Sequence, residues 1–313
     1  MFRSILVPLD GSAFGEHALP WALSLARRAG AAIEVMHVHP PLAMVYPESV
    51  PLMDDSLNME LKTRQRAYLD NVVARLRSVL TTPVNCIVQE GLIAPTIQHR
   101  AIEQHVDLVV MTTHARGPLG RLWLGSVADE LVRLLPMPML LVRPSDSTAN
   151  WQADVSFKHL LLPLDGSSLA EQMIEPATAL GQLMGADYTL LRVIRPVMPT
   201  SYAVEGYGLG QVADSLLTQI ERTHAQLADE AQRYLDEVAS RLRAQGLTVH
   251  TRVATDEQPA VAILNLAVPP AIDFIALETH GRRGFSRWFL GSVADKVLRG
   301  TTLPVMVHKP KEA

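Results

Sequence analysis

The octapeptide ILVPLDGS at residues 5–12 returns as LLLPLDGS at 160–167, displaced by 155 positions. A longer block, DLVVMTTHARGPLGRLWLGSVAD at 107–129, returns as DFIALETHGRRGFSRWFLGSVAD at 273–295, displaced by 166. Self-similarity on this scale makes the 313-residue chain a tandem duplication. Each copy is long enough to carry its own core. The two displacements differ by eleven residues, so the second copy holds an insertion, and the GYGLG run at 206–210 reads as a loop within it. Between the copies lies PSDSTANWQADVS at 144–156, rich in Ser, Asp and Asn. The division expected is therefore a first domain over 1–145, a linker over 146–156 and a second domain over 157–313.

Within each copy the hydrophobic period switches repeatedly. Runs that are apolar at nearly every position (Ser4 to Leu9, Ile33 to Val38, Val84 to Gln89, Leu108 to Thr112, Met139 to Arg143) alternate with helical patterns over Glu16 to Ala29, Asn58 to Leu80, Ala94 to Glu103 and Val127 to Leu134. Continuous apolar strands between helices predict a parallel sheet covered on both faces, here an α/β domain of about five strands per copy. Such domains bind ligands beyond the carboxyl ends of their strands, near the point where strand order reverses. The final strands of the two copies are apolar edges, and pairing them within the chain as a pseudo-two-fold dimer would protect both. A further homodimer of the two-domain chain is a natural extension.

Charge and cysteine content narrow the function. Lys and Arg number 28 against 32 Asp and Glu, a net charge of -4, which gives no general attraction to nucleic acid or anionic lipid. Cys86 is the only cysteine, so neither an intrachain disulfide nor a thiolate zinc site can form. The N-terminal apolar run meets Asp10 after about five residues, too short for a secretory core, and no stretch approaches a membrane span. A cytoplasmic protein is expected. His37 and His39 share a strand face without a matching ligand cluster, so no metal site is read there.

The residues beyond the expected strand ends carry what chemistry there is. After strand 4 the second copy reads THGRRGFSRWFLGS, with Gly291 and Ser292 opening a helix; glycine lets a backbone approach closely, and helix N-terminal amides attract anions, so the spacing suits a phosphate cradle. Ser126-Val-Ala-Asp129 and Ser292-Val-Ala-Asp295 also approach the capping-box pattern, and spacing alone favours capping for these serines, a role compatible with ligand contact. Asp10-Gly-Ser12 and Asp165-Gly-Ser167 suit a strand-to-helix turn and a ligand role equally, with Ser168 to Glu171 as a second cap. Arg116, Arg121, Arg282 and Arg287 can pair with phosphate or stand exposed. His114 and His280 have no nucleophile beside them except Thr113 and Thr279, so catalysis is poorly supported. The P-loop pattern and a GxGxxG after strand 1 are both absent.

These residues together resemble the universal stress protein family over nearly the whole chain: ILVPLDGS, the strand-2 endings VMHVHP and LLRVIRP, and the THxR...LGSVAD block stand in family order. The resemblance implies two Rossmann-like, adenine nucleotide alpha hydrolase-like, five-stranded domains in tandem. One family branch binds ATP through G-x2-G-x9-G-[ST], and another lacks both motif and nucleotide. On that pattern the second copy has Glu278, Gly281, Gly291 and Ser292, one departure; the first has Thr112, Ala115, Gly125 and Ser126, two departures. The implied second site takes Pro163, Asp165, Val193, Leu277, Glu278, Gly281, Arg282, Gly291, Ser292 and Val293. The implied first site takes Asp10, Val38, Ala115, Arg116, Gly125 and Ser126. Asp165 and Val193, with Asp10 and Val38, match the family's adenine and ribose contacts. Ala115 and Pro118 stiffen the first loop relative to Gly281 and Gly284, which favours the second site, while Glu278 sets a negative charge near its phosphates unless the side chain turns away. The function implied is a stress-response module regulated by ATP or another adenine nucleotide, with or without Mg2+, acting on an unidentified protein partner and hydrolysing ATP at most slowly. The alternative is a pseudo-dimeric scaffold that binds no nucleotide.

Overall fold

The computed structural model describes residues 2–40, 55–113, 124–145, 147–197, 210–279 and 290–310. In the first half the elements are β1 (Ser4–Pro8), α1 (Ala18–Ala29), β2 (Ala32–His39), α2 (Asp55–Arg77), β3 (Val84–Glu90), α3 (Ile93–Glu103), β4 (Leu108–Thr112), α4 (Ser126–Leu134) and β5 (Met139–Val142). The second half repeats them as β6 (His159–Pro163), a one-turn α5 (Ser168–Glu171), α6 (Ile174–Met184), β7 (Asp187–Ile194), α7 (Gly210–Arg243), β8 (Val249–Thr255), α8 (Pro259–Leu266), β9 (Phe274–Glu278), α9 (Ser292–Gly300) and β10 (Val305–His308). The expected strands and helices are present, with ends shifted by a few residues.

All ten strands form a single sheet in the order β3-β2-β1-β4-β5-β10-β9-β6-β7-β8. Each half is parallel, as continuous apolar strands require. The seam between halves is antiparallel, with Val305 opposite Leu141, Met306 opposite Leu140 and Val307 opposite Met139. The terminal strands thus pair within the chain as expected, and neither is left with an open row of amides and carbonyls. Strand order reverses between β1 and β4 and again between β6 and β9, which puts one crevice in each half.

Both faces of the sheet are covered, and each covering core runs through both halves. On one face Leu19 and Leu23 of α1 and Leu69 of α2 share a core with Leu180 of α6 and Leu235 of α7. On the other, Ile97 of α3 and Leu131 of α4 share one with Ile263 of α8 and Val297 of α9. The segment expected as a linker is packed into the first of these. Trp151 is 6% exposed and lies under the Arg75 guanidinium, 3.5 Å from its ring centroid. Phe157 stacks on Phe274 at 4.1 Å, and Trp21 of the first half tilts onto the same ring at 6.2 Å. Asp154 accepts both ends of the Arg28 guanidinium at 2.8 Å and the Ser24 hydroxyl at 2.8 Å, contacts that hold its carboxyl below the usual carboxylate range.

The eleven-residue insertion is not simply the expected loop. α7 has 34 residues against 23 in its counterpart α2, and the C-terminal ends of the two helices are 166 positions apart, the displacement of the later repeat. The excess therefore extends the helix at its N-terminal end, beginning at Gly210. Eleven residues are close to three whole turns, so the extension keeps the helix in phase. Residues 206–209 of the GYGLG run lie outside the described residues.

If residues 147–156 belong to the shared core, Trp151→Ala should lower the unfolding free energy by about 3 kcal/mol, the usual cost of deleting a buried aromatic ring. Urea denaturation of the two proteins measures this, and a change within error would show the segment to be a tether only.

Candidate nucleotide site

The crevice of each half is built the same way from its repeated sequence. After β1, Gly11 adopts φ +82° and after β6, Gly166 adopts φ +81°, a left-handed conformation suited to glycine that turns the chain sharply out of the sheet. The preceding aspartate closes that turn. Asp10 Oδ1 accepts the Ser12 amide at 3.0 Å and its hydroxyl at 2.7 Å; Asp165 Oδ1 accepts the Ser167 amide at 2.9 Å and its hydroxyl at 2.6 Å. The serine hydroxyls then accept the Gly15 amide at 3.1 Å and the Ala170 amide at 3.2 Å. The cap in the second half is therefore Ser167, not Ser168 as the spacing suggested.

Val38 near the end of β2 is buried, and its counterpart Val193 in β7 is half-buried. Beside Val38, the buried His37 shares a 2.8 Å hydrogen bond between Nδ1 and the Leu9 carbonyl, which ties β2 to the turn before Asp10. The equivalent residue, Arg192, lies over the Tyr234 ring at 4.9 Å. Pro163 closes β6 opposite Leu191, and Leu277 is buried in β9 opposite Val307.

The remaining wall of each crevice is a helix N-terminus. Gly125 and Gly291, with extended ψ values of 148° and 139°, are the N-caps of α4 and α9, and neither helix has a side-chain cap. This corrects the capping reading. Ser126 and Ser292 are the first helical residues, and Asp129 and Asp295 come one position too late to complete a capping box. The aspartates are engaged elsewhere: Asp129 with Arg133, and Asp295 with Arg299 at 2.8 Å. The amides of residues 126–128 and 292–294 consequently have no intrahelical acceptor and, among the described residues, no capping side chain. Each loop is closed at its base by the glycine amide, Gly125 to the Thr113 carbonyl and Gly291 to the Thr279 carbonyl, both at 2.8 Å. Val293, the second residue of α9, is packed against the core on that side of the sheet.

Glu278 is turned away from this helix. Side chains alternate along β9 and β10, and Ile275, Leu277, Val305 and Val307 face the core that contains α9, whereas Phe274, Ala276 and Met306 face the opposite one. Glu278 follows the second set, and its Oε1 meets His308 Nδ1 at 2.7 Å. The carboxyl is 8% exposed, and its Oε2 has no hydrogen-bond partner among the described residues. Burial raises its pKa from 4.5 to about 7 against the opposing pull of His308 and of the Thr279 amide. Thr112, its counterpart in the first half, is buried opposite Val142 and carries no such charge.

Ala115, Arg116, Gly281 and Arg282 lie outside the described residues, as do His114, His280, Pro118, Gly284, Arg121 and Arg287. The structure brings together Pro163, Asp165, Val193, Leu277, Glu278, Gly291, Ser292 and Val293 at the strand ends of one half, and Asp10, Val38, Gly125 and Ser126 at those of the other. Sequence reasoning missed His308, which the charge at Glu278 alone could not locate. Among the described residues no group of three or more His, Cys, Asp or Glu could hold a metal ion. Cys86 lies elsewhere, on the edge strand β3 in a groove of about 530 Å³, where burial pushes its thiol up, away from the thiolate form a nucleophile needs.

The sequence model of the universal stress protein family matches residues 1–143 and again 156–309. The chain belongs to the universal stress protein family. A relative from Mycolicibacterium smegmatis is 28% identical over 315 residues, covering 98% of this chain and 97% of its own length. Another, from Thermus aquaticus, is 31% identical over 146 residues, 46% of this chain and 100% of that protein, so it corresponds to one repeat. The crystal structure of a universal stress protein from Archaeoglobus fulgidus is similar in fold, with a TM-score of 0.68 at 18% identity over 99% of this chain and 97% of that one. Two universal stress domains in tandem account for the α/β architecture. Among the described residues, no helix is long and apolar enough to cross a membrane.

The buried carboxyl gives this protein a defined pH dependence. Glu278 holds its proton to about pH 7 when folded but releases it near 4.5 when unfolded, so its contribution to stability is present below 4.5 and is lost as pH rises to 7. Glu278→Gln should match the unmodified protein at pH 4.5 and exceed its stability at pH 8 by about 1 to 3 kcal/mol. Thermal melts across that range test it, and parallel curves would overturn the burial argument.

Proposed function

We propose that the chain binds ATP or another adenine nucleotide, mainly in its second half, as a regulatory module of the stress response. The observation that carries this reading is the start of α9: among the described residues its first amides have no side-chain cap, and the one motif residue that departs from glycine, Glu278, points to His308 on the far side of the sheet. A polyphosphate at such a helix start is favoured by the outward amides and the positive end of the helix dipole. Gly291, Ser292 and Val293 would supply that contact, together with Gly281 and Arg282 from the preceding loop. Asp165, Val193, Pro163 and Leu277 would hold the nucleoside. Mg2+ would accompany the phosphates as their counter-ion. The first half offers the same turn at Asp10, with Val38, Gly125 and Ser126, but has Ala115, Arg116 and Pro118 in its loop, where an added methyl and a lost backbone donor weaken a phosphate cradle. The working units are residues 1–145 and 157–313 joined through 146–156. In this reading the nucleotide acts in the cytoplasm and controls shape or affinity for a protein partner, and the chain can pair again as a homodimer.

One observation favours the scaffold reading. Both cores are continuous across the halves, so the duplication serves folding even without a ligand.

Calorimetric titration with ATP separates the two. Under the nucleotide reading Gly291→Val weakens binding tenfold or more, about 1.4 kcal/mol at least, and Gly125→Val weakens it less. Loss only in the Gly125 variant would reverse the order of the sites. Absence of binding in the unmodified protein, with none carried through purification, would leave the scaffold.

A further inference from the structure

Two chains of hydrogen bonds cross the seam in opposite directions. In the first half the Gly125 amide donates to the Thr113 carbonyl at 2.8 Å, and the Thr113 amide donates to the Val142 carbonyl at 2.9 Å. The next residue, Arg143, reaches into the other half, where its Nη2 donates to the Arg299 carbonyl at 3.3 Å. Arg299 lies in the last turn of α9, whose first turn lines the second crevice. The second half mirrors this. The Gly291 amide donates to the Thr279 carbonyl at 2.8 Å, the Thr279 amide to the His308 carbonyl at 2.9 Å, and the adjacent Lys309 Nζ to the Arg133 carbonyl at 2.8 Å, in the last turn of α4. Arg299 Nη2 also stands 3.8 Å from Asp129 Oδ1 of α4.

Each crevice helix is therefore held at both ends by different halves of the molecule. Its glycine cap is tied to a strand of its own half, and a cation from the other half meets a carbonyl at its C-terminal end. That cation satisfies an acceptor the helix cannot pair internally and complements the negative end of its dipole. A nine-residue helix, about 14 Å long, moves as a stiff rod, so a shift at one end is felt at the other.

We propose that the two crevices form one cooperative unit, in which an anion bound at the N-terminus of α4 or α9 strengthens binding at the other through the Arg143 and Lys309 cross-ties. This rests on the nucleotide reading above. The sign follows from ordering: the first ligand fixes the seam and the tied helix, and the second ligand then has less left to order.

The experiment uses the full chain in two arms. Without nucleotide, hydrogen exchange is compared for the unmodified protein, Arg143→Met, Arg143→Lys and Lys309→Met. Arg143→Met is expected to speed exchange at least threefold in the peptide carrying the Thr279 and Gly291 amides, in the opposite half, with Arg143→Lys restoring most of the protection. Lys309→Met is expected to do the same at Thr113 and Gly125, and stands in if the Arg143→Met protein does not fold. Acceleration confined to the neighbourhood of the substituted residue and the last turn of its partner helix overturns the proposal. In the second arm, saturation with ATP should slow exchange at both crevices, and titration should show that occupation of either crevice raises the affinity of the other about three- to tenfold over its own intrinsic value, a coupling factor that falls to one in the Arg143→Met, Lys309→Met double variant. Independent sites in the unmodified protein, or slowing at one crevice alone, overturn the coupling and leave the nucleotide reading standing. Absence of ATP binding sinks the nucleotide reading, and the first arm still decides whether the helices are linked.

Discussion

Backbone pairing between β5 and β10 joins two sheets that would otherwise each end in an apolar strand with unpaired amides and carbonyls. An exposed strand of this kind templates aggregation, and here each half supplies the other's missing neighbour. Because the pair is antiparallel, the halves are related by a pseudo-two-fold axis at the seam, and equivalent residues meet across it. The continuity of both cores follows: Phe274 of the second half sits among Trp21 of the first and Phe157 beside the linker, and the linker itself is held down by Trp151 and Asp154. The family's two-fold repetition is thus a single folding problem in this chain.

The seam also distributes charge. The last helix of each half points its C-terminal end at it, and those ends receive Lys309 and Arg143 from the opposite half. Burial lowers the pKa of the Arg143 guanidinium below its ordinary value, in keeping with a cation held by a carbonyl in a partly dry setting. Glu278 and His308 add a buried polar pair on the other face of the sheet, in one half only. The two halves are therefore alike in backbone and unlike in electrostatics.

Much of the crevice was legible from residue order. The Asp-Gly-Ser turns were evident because a short polar triplet follows an apolar strand, and the structure gives both the same hydrogen bonds. The capping assignments were off by one residue. Spacing alone cannot tell whether a serine or the glycine before it leaves helical geometry, and both residue types occupy N-caps. The insertion was located by its length, but its form was missed: a glycine-rich run signals a loop, whereas the helix begins at Gly210, the last residue of that run.

By itself the sequence determined the duplication, the α/β alternation and the family, because these depend on repeat identity and on hydrophobic period, both local properties of the chain. It also placed the candidate residues at strand ends. Only the tertiary structure decided where the Glu278 carboxyl points, which helix ends receive Arg143 and Lys309, and how the halves share their cores. Those outcomes depend on strand register and on side chains meeting from residues 30 to 176 positions apart, and no period along a single chain encodes such a meeting.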